Sequence, residues 1–161
     1  MKRIFAVLLL AFSSPVFSCS FAPMTQEFEI TGEEAEAPER PNFELKSIKR
    51  GFYDGNGGSC SDAGMITLKN ISKNSRDVGY KFSIVEGAFE DTIFGDNPIV
   101  PSNFVEESEF TFIWFDGHTD EQEPFEITIE ITPVSKSGST GESARLIVAH
   151  PGVEKPWWKI W

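Results

Sequence analysis

The sequence is poor in the residues that most enzyme chemistry uses. It holds two cysteines, two histidines and two tyrosines. His118 and His150 are far apart, no serine sits in a Gly-x-Ser-x-Gly elbow, and there is no His-Glu-x-x-His pattern. The glycine-rich stretch Asp54-Gly55-Asn56-Gly57-Gly58 lacks the Gly-Lys-Ser/Thr ending of a phosphate loop, and reads as a flexible loop placing Cys60. Positive charge is also scarce: 14 Lys and Arg face 25 Asp and Glu, a net charge of −11. A general nucleic-acid binder needs a basic face, so that class is excluded. No apolar run reaches the roughly twenty residues of a transmembrane helix. These absences point to a non-enzymatic protein without a cofactor.

What the chain does have is apolar bulk. Its 161 residues are 40% hydrophobic and include 15 Phe, enough for one domain with a real core and too apolar for wholesale disorder.

Residues 1–18 have the three-part layout of a secretory signal peptide. Lys2 and Arg3 precede the apolar run Ile4 to Phe12, and Val16-Phe17-Ser18 supplies a cleavage site. Cutting after Ser18 makes Cys19 the first residue of a periplasmic or extracellular protein. Three fates compete for it. It forms a disulfide with Cys60, it takes a lipid anchor through a loose lipobox (Val16-Phe17-Ser18-Cys19), or it is lost to a cut after Ser20. A bridge would stabilise the fold by about 4 kcal/mol in the chain-entropy model. Residues 19–41 form an acidic, proline-containing linker, expected to be extended, with a short strand about Phe28 and Ile30.

From Asn42 to Gly152 the periodicity is two. Phe125, Ile127, Ile129 and Ile131 alternate with Glu126, Thr128, Glu130 and Thr132, so one set faces a core and the other water. Further strands are expected at Phe43–Lys49, Gly64–Lys69, Tyr80–Glu86, Glu109–Phe115 and Ala144–His150, separated by turn signals such as Asn74-Ser75-Arg76-Asp77 and Gly95-Asp96-Asn97-Pro98. Phe112 and Trp114 belong to the inward set, Ile113 and Phe115 to the outward one. Six or seven short strands in about 110 residues imply an all-β, antiparallel two-sheet sandwich, with a closed barrel as the alternative.

The stretch from Asp116 to Gly152 resembles the end of a fibronectin type III-like or immunoglobulin-like domain. Phe125 takes the aromatic that opens the penultimate strand, Lys136-Ser137-Gly138 the turn, and Arg145 to Ala149 the last strand. Where that family has a tryptophan on its second strand, Gly64 to Lys69 has none, and Trp114 is available to fill the core from another strand. The whole chain is also similar to small exported bacterial proteins without an assigned activity. The resemblance implies a fold and carries no catalytic residues with it.

Three groups of residues are candidates for function. Asp116, Asp120, Glu121 and Glu123 supply carboxylates that suit Ca²⁺, set against a solvated loop. His118 beside Asp116 and Asp120 offers an acid–base pair. Trp157, Trp158 and Trp161 crowd the C-terminal tail, 153–161, as a packed flap, a partner-binding peptide or a membrane-interface anchor. The function expected is that of an exported protein-interaction or structural module. A carbohydrate- or Ca²⁺-binding accessory domain is the alternative, and a small hydrolase stands further off.

Overall fold

A computed structural model describes residues 19–72 and 77–155. The predicted signal segment, the turn at Asn74-Ser75-Arg76 and the tail residues Trp157, Trp158 and Trp161 lie outside the described residues.

The strand with the clearest alternation is Phe125–Ser135, β7 in chain order. Ile127, Ile129 and Ile131 are buried, while Glu126 is exposed and Thr128 and Glu130 are half-exposed. Phe125 is half-buried rather than buried, because it lies at the end of the strand where the loops begin. The strand runs three residues past Thr132, through Pro133. The Pro133 carbonyl accepts from the Gly141 amide. Its missing N–H therefore points the same way, beyond the last β8 pair, Ile131 with Ala144, and no ladder bond is lost.

The other strands are β1 (Thr25–Glu27), β2 (Phe43–Lys49), β3 (Ala63–Asn70), β4 (Val78–Glu86), β5 (Ile99–Pro101), β6 (Glu109–Phe115) and β8 (Ala144–His150), all paired antiparallel. They form a five-stranded sheet in the order β1-β5-β4-β7-β8 and a three-stranded sheet in the order β2-β3-β6. The fold is thus the expected all-β pair of antiparallel sheets. Two strands differ from expectation. β1 falls just before Phe28, and β5 was not anticipated, because three residues are too few to show an alternation.

Phenylalanine fills the space between the sheets. Phe43, Phe82 and Phe110 meet at centroid distances of 5.3 to 5.7 Å, and Phe112 lies 5.0 Å from Phe82. Each buried ring of this kind contributes about 1.5–3 kcal/mol. A buried polar contact sits among the rings, in which the Asn70 amide donates to the Tyr80 hydroxyl at 2.8 Å. Burial pushes the Tyr80 hydroxyl above its ordinary pKa, and the Asn70 donor opposes that shift.

The segment before β2 is extended and lies against the sandwich. Cys19 is bonded to Cys60 across 41 residues of sequence. β1 pairs with β5, and the Phe28 amide donates to the Pro98 carbonyl. Phe28 is buried over Gly79, where a Cβ would stand 2.4 Å from its ring. The Gly32 amide then donates to the Lys136 carbonyl, at the turn between β7 and β8.

Candidate functional site

The antiparallel order brings several connections to one end of the sandwich. β2 ends and β3 begins there, joined by residues 50–62. β6 ends and β7 begins there, joined by residues 116–124, and β4 and β8 finish there as well. At this end the chain places its disulfide, a buried ion pair and several exposed aromatic side chains.

Arg50 leaves β2 and turns inward. Its Nε donates to Asp116 Oδ2 at 2.8 Å and its Nη2 to Asp116 Oδ1 at 2.9 Å. Nη1 donates to the Glu123 carbonyl at 2.8 Å. The guanidinium also lies over the Phe125 ring, 5.4 Å from its centroid, while His150 stacks on the same ring at 6.3 Å. Asp116 accepts two further bonds, from the Gly51 amide at 2.6 Å and from Trp114 Nε1 at 3.1 Å. The Asp116 side chain is 0% exposed and that of Arg50 is 7%, so the charges are removed from water together and every lone-pair direction of the carboxylate is served. Gln122 completes the clamp: its Nε2 donates to the Gly51 carbonyl, and its backbone pairs with Val153.

This geometry withdraws Asp116 from the acidic candidates. Its oxygens already hold Arg50, Gly51 and Trp114, whereas Glu121 and Glu123 are exposed on the loop. Asp120 lies half-buried beside them. Among the described residues, no group of three or more His, Cys, Asp or Glu is gathered so as to hold a metal. His118 is exposed and near Tyr53, at a centroid distance of 6.4 Å, so its neighbour Asp116 turns away from it. His150 is held with its Nδ1 accepting from the Gly152 amide. Burial, and then the charge of Arg50, hold its pKa below the ordinary 6.5, against an opposing pull from Asp116. A signal for the true role of Asp116 was present: it continues the inward set Phe110, Phe112, Trp114 with the same parity. Nothing in the sequence marks Arg50 as its partner.

Beneath the clamp is a cleft of about 440 Å³ lined by Arg50, Phe89, Trp114, Phe125, Glu121 and Glu123. Phe89, Trp114 and Phe125 pack edge to face. The cleft thus combines an aromatic floor and an acidic rim with a cation already committed to Asp116.

Beyond the clamp, the loop after Gly51 is shaped by its own polar groups. Asp54 accepts from the Asn56 amide at 2.8 Å and from the Ser59 hydroxyl at 2.8 Å, and these bonds, the Asn56 one foremost, hold its pKa below the usual range. The loop thereby delivers Cys60 to Cys19. Phe21 and Phe115, exposed by 36% and 66%, line a hollow beside Cys19, and Phe52 and Tyr53, exposed by 57% and 52%, stand on the loop after Gly51. No helix among the described residues is long and apolar enough to cross a membrane. No model of a protein family matches this chain, and neither a curated protein nor a solved structure shows significant similarity to it.

Proposed function

We propose that the protein is an exported immunoglobulin-like sandwich that works as a protein-interaction module. The observation that carries this reading is that four aromatic side chains, Phe21, Phe52, Tyr53 and Phe115, stand exposed on segments that meet at the end held by a disulfide and a buried ion pair. Exposed rings on a stiff support are what partner-binding surfaces use, since little side-chain entropy is lost when they are covered. Export is supported by the N-terminal signal pattern and by the disulfide, which suits an oxidising compartment. The immunoglobulin-like reading is supported by strand order. β2-β3-β6 opposite β4-β7-β8 matches the A-B-E and C-F-G strands of such domains, with β5 added beside β4. A row of exposed tryptophans on a sheet would favour sugar binding instead. Among the described residues Trp114 is the one tryptophan, and it is buried.

The test is a photocrosslinking amino acid placed at Phe115 or Phe52 in the exported protein, with Ile147 on β8, 65% exposed, as the control. A discrete adduct from Phe115 or Phe52 and none from Ile147 is expected. Adducts at Ile147 alone, or the same smear from all three, would refute the reading.

A further inference from the structure

The sheet edges in this fold are not equally protected. An edge strand presents unpaired N–H and C=O groups, and proteins blunt such edges with short strands, bulges, charge or cover. β1 is three residues long. β2 carries a register break between Leu45 and Ser47, and bears Lys46 and Lys49. β8 bears Arg145 and packs beside β2. β6 is less protected, although its first residue, Glu109, is charged and β5 approaches it. It runs seven residues in unbroken register with β3, and from Phe110 to Phe115 it carries no charge, no glycine and no proline.

The direction of its free groups follows from the bonds at its ends. The Asp116 amide donates to the Asp62 carbonyl and the Asn70 amide to the Ser108 carbonyl. Bonded pairs alternate in an antiparallel ladder, so the even residues Phe110, Phe112 and Trp114 bond to β3. Thr111, Ile113 and Phe115 therefore turn their N–H and C=O groups to the open side. No backbone hydrogen bond reaches these three from another segment among the described residues.

A cavity of about 360 Å³ lies at the Phe115 end of this edge, lined by Cys19, Phe21, Asp62, Ala63, Ile113 and Phe115. Asp62 is 2% exposed. Its Oδ2 accepts from the Gly58 amide at 2.6 Å, and its Oδ1 has no donor. A buried carboxylate oxygen without a donor is costly. Oδ1 is itself shut off from solvent, so a lysine or arginine whose stem lies in the apolar cavity is drawn to it by charge and not by a direct bond. Acidic residues also precede the strand, at Glu106 and Glu107, and the chain carries a net charge of −11. A second acidic copy is therefore a poor occupant.

We propose that β6 is an acceptor edge for an extended segment of a partner protein, which adds as a fourth strand and places a basic side chain in the Asp62 pocket. This deepens the reading above, since Phe21 and Phe115 belong to both surfaces. Main-chain bonds to Thr111, Ile113 and Phe115 supply affinity, and the pocket supplies selection.

The probe is a synthetic peptide slightly longer than β6, alternating threonine and valine with one lysine near the end that lies beside Phe115. It is added to the oxidised, isotope-labelled protein while amide exchange is followed by NMR. Exchange at Thr111, Ile113 and Phe115 should slow by about tenfold or more at saturation. Replacing the peptide lysine by glutamate should weaken binding by about tenfold, a charge effect, and N-methylating alternate peptide amides should abolish it. A protein carrying Phe52→Ala and Tyr53→Ala should still bind. Absence of binding, undiminished binding of the N-methylated peptide, protection on β2 or β8 instead, or loss of binding in the Phe52/Tyr53 variant would each overturn the proposal. So would protection of the β6 amides by self-association without peptide. Failure of the crosslinking experiment with intact peptide binding would sink the aromatic-end reading alone.

Discussion

Arg50 and Asp116 are 66 residues apart, yet two guanidinium nitrogens meet the two carboxylate oxygens at 2.8 and 2.9 Å with the carboxylate shut off from water. The pair ties the β2–β3 connection to the β6–β7 connection. Breaking it from one side leaves a buried charge alone. Asp116→Ala should therefore cost about 3–5 kcal/mol, measured by urea unfolding, and should also release Gly51 and Trp114 Nε1. The paired variant Arg50→Met with Asp116→Leu should cost clearly less than the two single changes added together. Additive losses would show that the two side chains do not act as a unit.

The register of β7 makes a second prediction. Ile129 is 0% exposed, whereas Thr128 is half-exposed and donates to Glu86 at the surface. Ile129→Ala should cost about 2–5 kcal/mol, and Thr128→Ala should stay within about 0.5 kcal/mol. Equal losses would place the wrong face of the strand against the core.

The bridge between Cys19 and Cys60 is the third test. Mass spectrometry of the native protein should give a mass two hydrogens below the reduced form. Reduction, or Cys60→Ser, should lower stability by about 4 kcal/mol, as expected for a loop of this length. A diacylglycerol mass on Cys19, or a free Cys60 thiol, would show that the sulfur is used otherwise.

His150 gives the protein a pH response. Its pKa is below 6.5 in the folded state, through burial first and the charge of Arg50 second. As pH falls through 6.5 the unfolded chain takes up a proton before the native one does. The contribution of His150 is thus complete above about 6.5 and declines as pH falls toward the depressed folded value. Unfolding midpoints measured between about pH 5 and 7.5 should show this decline in the native protein and a smaller one in His150→Gln. Identical slopes would assign the response to other groups.

Much of the architecture was legible because strands with one wet face write their period into the chain. The bounds of β2, β6 and β8 coincide with the runs read from the sequence, and β7 continues three residues past the alternation that ends at Thr132. β1 and β5 were not legible, since each is three residues long and is fixed by pairing with the other. The clamp was half legible. Asp116 keeps the inward parity of β6, but a carboxylate in a string of acids reads the same whether it faces water or an arginine. The free edge of β6 was not legible, because which strand lies outermost is decided by sheet order, and no local pattern reports it.

The disulfide has a mechanical consequence. It closes a covalent ring from residue 19 to residue 60 that contains β1 from one sheet and β2 from the other. Tension applied at the N-terminus passes through sulfur to Cys60 and enters the fold at the start of β3. The 40 residues between the cysteines are bypassed, and about 140 Å of chain at full extension is withheld. An oxidised molecule stretched from its ends thus keeps β1 and β2 out of the line of force, and reduction puts them into it.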